Sequence, residues 1–435
     1  MHDWTERKLG DLVDIKHGFA FKSEFFREES PGDVLLTPGN FAIGGGFQDK
    51  KLKYYDGPVP GDFICLPGDL LVTMTDLSKA GDTLGYPAIV PDDGRRYLHN
   101  QRLGKILVRP RAPTTKKFLY WVLRTDDYRH EVLASCSGST VKHTSPAKIC
   151  AYRFRLPPVG EQSAIASVLG VLDDKIELNR WMSETLEAMA RALFKDWFVD
   201  FGPVRAKAEG KQPPGLSPEI AALFPDALDD DDKPVGWGFA TLAEVAALNP
   251  ESWSKNTAPE GIEYVDLANT KWGVIKATQR YDWSKAPSRA KRILRVGDTI
   301  VGTVLPANGS YSFIGVDGLT GSTGFAVLRP KRPEHAEFVY LAATSPESIE
   351  RLSHLADGTV YPAVRPDVVA ATEVFLSDKG LISSFSKTVG PMMPQIEANK
   401  LQNQTLAQLR DLLLPKLMSG EIRLQEAEKA VEAVA

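Results

Sequence analysis

One helical spelling occurs twice in this chain, half its length apart, and that limits the folds open to it. Residues 174–194 read DKIELNRWMSETLEAMARALF and residues 394–414 read PQIEANKLQNQTLAQLRDLLL. At a constant offset of 220, Ile176, Glu177, Asn179, Thr185, Leu186 and Leu193 meet Ile396, Glu397, Asn399, Thr405, Leu406 and Leu413. The repeat continues outside the helix. LGDLVDIKHG (9–18) is answered by LAEVAALNP (242–250), GDLLVTMT (68–75) by GDTIVGTV (297–304), KILVRP (105–110) by FAVLRP (325–330), and GSTV (138–141) by DGTV (357–360). The offset drifts from 233 through 229 to 220, as loop insertions between diverged copies would make it. So long a period is an internal duplication, not a solenoid.

Each copy divides into a globular and a helical part. The globular parts, 1–155 and 236–376, carry short apolar runs such as DFICLPGDLLVTM punctuated by Gly, Pro, Asn and Asp, with short helices predicted at 116–133 and 334–353. That pattern predicts α+β domains with a twisted, mixed or antiparallel sheet. The helical parts are 156–201 and 377–424. Ile165, Leu169, Leu172, Ile176, Leu186, Leu193 and Trp197 fall on steps of three and four, as do Phe385, Val389, Met392, Ile396, Leu406, Leu413 and Leu417. Such spacing makes a coiled-coil seam. Pro391 and Pro394 should break the second helix at its start, leaving regular parts near 175–198 and 395–418, each roughly 33–36 Å long at 1.5 Å per residue. Two copies packed about a pseudo-two-fold axis would lay these helices antiparallel, with a head at each end. Residues 202–235, rich in Pro, Gly and acid, read as the connecting linker, and 425–435 as a tail. Asn179 and Asn399 sit in the seam, where a buried amide fixes register; the alternative is a solvated stripe edge.

Net charge is −4, with 43% hydrophobic and 25% charged residues, ordinary for a globular chain. Lys plus Arg minus Asp plus Glu is 23 − 19 = +4 over 1–155 and 8 − 15 = −7 over 156–235. Nucleic-acid binding is thus permitted without being announced. Three irregularly spaced cysteines and no long apolar run point to a reducing cytoplasm and no membrane. The sequence lacks an NPPY-type adenine-methyltransferase motif, a GxGxxG after a strand and a GxxxxGK[ST] loop. His335-Ala336-Glu337 has no PCxxC partner, and the acid run Asp229–Asp232 reads as solvated linker charge. No catalytic residues, metal site or cofactor site are expected.

The segment LPPVGEQSAIASVLGVLDDKIELNRWMSETLEAMARALFKDWFVDFGPVRAKAEG (156–210) resembles the central conserved region of specificity subunits of type I restriction–modification systems. LQNQTLAQLRDLLLPKLMSGEIRL (401–424) is similar to their distal conserved region, and WTERKLGDLVDIKHGFAFKS (4–23) to the entry of their first target-recognition domain. The resemblance implies two α/β target-recognition domains separated by two long antiparallel helices. Each domain would read one half of a split, asymmetric DNA target. The helices would measure the spacer and dock two methyltransferase subunits, which bind S-adenosylmethionine and methylate adenine N6. A motor–nuclease subunit using ATP and magnesium is a further implied partner. A non-catalytic scaffold whose heads bind proteins is the alternative; a free-standing transcriptional regulator is a third reading, disfavoured by the acidic balance.

On that implication, base readout needs Arg, Lys, Asn or Gln on loops, and phosphate grip needs Lys, Arg, Ser or Thr. Candidates in the first head are Lys16, Phe21, Lys22, Asn40, Thr75, Ser78, Lys79, Asn100, Gln101, Arg102, Ser139, Thr140, Lys142 and His143. In the second they are Asn269, Thr270, Lys271, Thr303, Asn308, Ser310, Ser322, Thr323, Tyr361 and Arg365. Phe21 also reads as core, Asn40 and Asn308 as turn residues, His143 as a cap at a strand end, and Lys22 and Lys79 as plain surface. Gly138 and Gly358 suit turns with positive φ. Phe194, Trp197, Phe198 and Phe201, with Leu414, Leu417 and Met418 in the second copy, are either partner-docking hot spots or core.

Overall fold

The computed structural model describes residues 4–29, 32–50, 52–358, 360–376 and 380–434. Thr359 of the DGTV loop and Ser377, the expected first residue of the distal helical segment, lie outside the described residues. The chain forms two compact units, residues 1–177 with 402–435, and residues 178–401. Each holds one α+β head and two antiparallel helical segments.

The heads repeat one sheet topology. In the first unit a sheet runs Val13–His17, Leu103–Val108, Leu70–Thr73, Pro87–Ile89, antiparallel throughout. The second unit has Ala246–Leu248, Phe325–Pro330, Thr299–Gly302, Tyr311–Phe313 in the same order and sense. Leu70–Thr73 and Thr299–Gly302 are buried at every position because they lie inside their sheets with packing on both faces. A second, mixed sheet in each head contains one parallel pair, Asp33–Leu35 with Tyr97–Leu98 and Gly261–Val265 with Leu319–Ser322. Short helices cover the sheets, and hydroxyl side chains start them: Thr115 caps Phe118, Thr125 caps Tyr128, Ser145 caps Lys148 and Ser345 caps Ser348. Each head closes on an antiparallel ribbon, Thr5–Lys8 with Arg153–Leu156 and Gly238–Thr241 with Glu373–Leu376.

The helices are longer than the seam arithmetic predicts. The first runs Val159–Phe198, 40 residues, starting directly after Pro157–Pro158, so it spans about 60 Å. Ile165, Leu169 and Leu172 belong to it and not to a separate lead-in. The second copy breaks where expected, into Leu381–Val389 and Met392–Ser419. Pro394 is tolerated in the first turn, where its missing N–H has no intrahelical acceptor, and Pro415 lies inside the helix. In the first unit Ile165, Leu169 and Leu172 are buried with Leu406, Leu413 and Leu417. The order Asn403 Nδ2 to Ile176 O (3.2 Å) and Arg410 to Asp173 (2.7 Å) makes that pairing antiparallel.

Residues 202–235 are not a loose linker. They form helices Gly202–Ala208 and Pro218–Ala221, and Phe224 is buried against Trp197 with ring centroids 5.2 Å apart. The acid run is folded as well: Asp229 accepts the Asp231 and Lys233 amides at 3.0 and 2.8 Å, and Asp232 pairs with Arg205. The composition resembled a linker, but Phe224 docks it against Trp197, while Arg205 and Lys207 tie its parts together and the Asp229 carboxylate closes its turn.

Candidate nucleic-acid interface

In the first head the chain turns 75–83 and 137–143 are brought together. Thr75–Asp76 pairs antiparallel with Lys142–His143, and Thr144 N donates to Met74 O at 3.0 Å. Asp76 fixes the first loop. Its buried carboxylate accepts the Ser78 amide at 2.6 Å and both the amide and the hydroxyl of Thr83. Burial pushes the Asp76 carboxyl up, but the bonds from Thr83 and Ser78 outweigh it and hold it below the usual carboxylate range. Ser137 and His143 exchange backbone bonds across the second loop, and Gly138 sits at φ +96° with Val141 O where a Cβ would go. Only glycine fits there. On this frame Lys79, Ser139, Thr140 and His143 are exposed, while Ser78 and Lys142 are half-buried.

The second head repeats the frame with other side chains. Val364 N donates to Thr303 O at 2.9 Å, and Asp357 and Ala363 exchange backbone bonds as Ser137 and His143 do. Gly358 is at φ +120°. Here Asn308, Tyr361 and Arg365 are exposed, with Arg365 paired to Asp367 at 3.1 Å. Thr323 is exposed beyond the strand Leu319–Ser322.

Several candidates are spent inside the protein. Phe21 is 8% exposed and packs edge-on to Phe19 and Tyr55, so it is core. Asn40 is fully buried and closes its own turn, its Oδ1 accepting from Thr37 N and its Nδ2 reaching Gln48 O. The hydroxyls of Thr270, Thr303 and Ser310 donate to Asp266 O, Gly324 O and Leu267 O, and Ser322 Oγ takes the Gly324 amide; all four residues are buried. Thr75 is buried with its hydroxyl 3.2 Å from His143 Nδ1. These residues shape loops and cannot face a duplex as they stand. Asn269 is held by Asp266, and Lys271 reaches Asn308 O at 3.2 Å.

A second cluster joins the KHGFAFKS and HNQR stretches, since Phe19 N donates to His99 O and Gln101 N to Phe19 O. Gln101 and Arg102 are exposed there, and Asn100 is half-buried with its Oδ1 on the Arg102 amide. Lys16 is occupied by Asp62 O at 3.0 Å and the Phe63 ring, and Lys22 lies 3.7 Å from Glu24. Sequence reasoning missed four exposed apolar loop residues: Ile43 (73%), Leu77 (66%), Trp272 (57%) and Val360 (72%). Two had a visible signal. Ile43-Gly44 and Trp272-Gly273 stand at the repeat offset of 229, directly after the paired Asn40 and Asn269 turns.

The aromatic patch is core. Phe194, Trp197, Phe198 and Phe201 are each under 9% exposed; the first three pack with Phe224, Phe338 and Phe385, and Phe201 packs with Trp237 and Phe375. Leu414 and Leu417 are buried and Met418 packs against the same core. The buried ones cannot be docking hot spots as they stand, whereas Met418 stays half-exposed. Exposed apolar side chains lie elsewhere on the helices: Leu178, Trp181, Met189 and Leu401 in the second unit, Val171 and Leu412 in the first. Asn179 and Asn399 are buried, and Asn399 Nδ2 reaches Ser183 Oγ (3.1 Å) and Asn179 O (3.4 Å). The two amides are thus buried between the helical segments and not at a solvated stripe edge.

Among the described residues no group of His, Cys, Asp and Glu is arranged to hold a metal, and no helix is long and apolar enough to cross a membrane. The family "Type I restriction modification DNA specificity domain" matches residues 1–188. The chain is 26% identical over 483 aligned residues to the type I restriction enzyme HindI specificity subunit of Haemophilus influenzae, covering 97% of this chain and 100% of that protein. It is 23% identical over 454 residues to the MjaIX specificity subunit of Methanocaldococcus jannaschii, covering 98% and 94%. The crystal structure of a type I restriction–modification S subunit from M. genitalium shares the fold, with a TM-score of 0.59 at 16% identity over 96% of each chain.

Proposed function

Because this chain belongs to the type I restriction–modification specificity subunits, which are non-catalytic, we propose that its two heads read the two halves of a split, asymmetric DNA target. The observation that carries this is the repeated loop frame. Thr144 to Met74 and Val364 to Thr303 are the same backbone bond in the two heads, yet the exposed side chains differ. Lys79, Ser139, Thr140 and His143 face outward in one head, Asn308, Tyr361 and Arg365 in the other. A shared frame with different readers fits two unlike half-sites. Cations suit guanine or phosphate, an amide suits adenine, and an exposed aromatic suits stacking or a groove wedge.

The helices, about 60 and 42 Å long, are the proposed spacer ruler. Their exposed apolar residues are the proposed seat of two adenine-N6 methyltransferase subunits, with a motor–nuclease subunit as a further partner, in the cytoplasm. S-adenosylmethionine, ATP and magnesium belong to those partners. The test is a methylation map from cells carrying the intact system, set beside cells in which residues 4–155 are exchanged for another head. A split motif is expected, with one half changed by the exchange. An unsplit or palindromic motif, or a change in both halves, refutes the reading.

A further inference from the structure

Each head is tied to its helices by a cluster built on the same plan from different residues. In the first unit, Arg124 Nε donates to Gly44 O at 2.7 Å, and Arg124 Nη1 reaches Tyr120 Oη at 2.7 Å and the Asp173 carboxylate. Asp173, on the long helix, also takes Arg410 of the second helix at 2.7 Å. In the second unit, Lys400 Nζ donates to Gly273 O at 2.8 Å and pairs with Glu397 at 2.7 Å. Tyr340 Oη donates to Glu187 Oε1 at 3.1 Å, and Arg191 binds Glu187 and the Thr344 carbonyl at 2.7 and 3.1 Å.

The duplication lines these up. Gly44 and Gly273 are 229 residues apart, Tyr120 and Tyr340 are 220 apart, and each tyrosine faces a carboxylate on the first helix. The cation has changed sides: Arg124 comes from the head, whereas Thr344 occupies its repeat position and Arg191 comes from the helix. The plan has outlasted exchange of the residues that execute it. Charged clusters with little solvent exposure are poor sources of stability, because desolvation offsets most of the attraction. They do fix geometry, since the Arg fork accepts few arrangements.

We propose that Arg124 with Tyr120, and Arg191 with Tyr340, are positioning residues that set the tilt of each head on its helices and so restrict the spacer length the protein accepts. This rests on the split-target reading above. A head of about 150 residues has a radius of gyration of about 15 Å. A tilt of roughly 13° about its junction therefore moves its reading loops by about 3.4 Å, the rise of one base pair. Such a tilt supplies the axial part of the shift; the half-site also turns by roughly 35° about the duplex axis per base pair, so the head must be free to swing as well as to tilt before a neighbouring spacer is admitted.

The experiment maps methylation in cells carrying the full system with Arg124→Lys, Tyr120→Phe, Arg191→Lys or Tyr340→Phe in the specificity chain. Lys keeps the charge but cannot serve three acceptors in fixed directions, and Phe removes one hydroxyl. The expected result is unchanged bases in both half-sites, with methylation at spacers one base pair longer or shorter rising about tenfold over the wild-type background. An unaltered spacer distribution, whatever the total methylation, overturns the proposal, as does a change in the bases read. If a Lys variant yields no methylation, the matching Phe variant decides in the same terms. Failure of the split-target reading is distinct, because the wild-type map would already lack a bipartite motif.

Discussion

Asp76→Asn should loosen one reading loop and leave the rest of the chain in place. The carboxylate holds the turn through three donors, Ser78 N on one oxygen and Thr83 N and Oγ1 on the other. Bonds to an ionised group contribute about 1.5–3 kcal/mol each, against about 1 for neutral pairs. An amide keeps one acceptor oxygen and turns an NH2 group toward a backbone N–H. Two neutral bonds in place of three charged ones cost about 2.5–7 kcal/mol, roughly 60-fold or more in the opening equilibrium of residues 77–83. Hydrogen exchange at the Thr83 amide reads this directly, with acceleration of that order up to the limit set by unfolding of the unit. The wild-type loop should also respond to acid. The folded pKa of Asp76 lies below its unfolded value, so its contribution is complete above about pH 4 and fades as pH falls through the lower, folded value. Asp76→Asn should lack that acid-range change. In methylation assays the variant should discriminate less among bases in one half-site only. Unchanged exchange at Thr83, or equal loss of discrimination in both half-sites, would refute the account of Asp76 as the loop's anchor.

Two further variants separate core from docking surface. Trp197→Ala removes a ring that is 1% exposed and touches Phe224 and Phe385 at 5.2 and 5.5 Å; it should cost about 3–5 kcal/mol, seen as a lowered melting transition of the second unit. Were Trp197 a docking residue, melting would be unmoved and only assembly would suffer. Trp181→Glu does the reverse: the side chain is 66% exposed, so stability should shift by no more than about 0.5 kcal/mol. Co-purification with the methyltransferase should weaken by about tenfold or more, and full retention of assembly would remove this face from the proposed seat.

The duplication, the α+β heads and the antiparallel seam were legible because backbone patterning writes them into many residues at once. The length of the first helix was not. The stretch 159–174 carries seam residues Ile165, Leu169 and Leu172, but it precedes the part of the repeat that keeps identities, and in the second copy Pro391 and Pro394 interrupt the equivalent helix. Site residues were less legible for a different reason. Ser, Thr and Asn on loops are good candidates for contacting DNA, and equally good partners for a loop's own backbone. Thr303, Ser310, Ser322 and Asn40 are used up in that way, whereas Asn308 and Thr323 remain exposed. Nothing in the one-dimensional pattern tells the two groups apart, since the deciding carbonyl lies 21 residues away for Thr303 (Gly324) and 43 away for Ser310 (Leu267), but only 4 away for Thr270 (Asp266).

The two copies in one chain act as each other's control. Where they agree, in the glycine turns at 138 and 358 and the bonds Thr144 to Met74 and Val364 to Thr303, the constraint is the frame, because any head of this kind needs it. Where they differ with the frame intact, the constraint has been lifted from folding and is free for recognition. The junction clusters are a third case: the cation differs, from Arg124 of the head to Arg191 of the helix, while the tyrosine-to-carboxylate connection of head to helix is kept. Folding alone would accept an apolar junction there, at lower desolvation cost. Retaining a directional, charged junction in both copies makes sense if the angle of each head matters to what the protein does; on the proposed split-target reading, that angle acts with the length of the helices in setting which spacer fits.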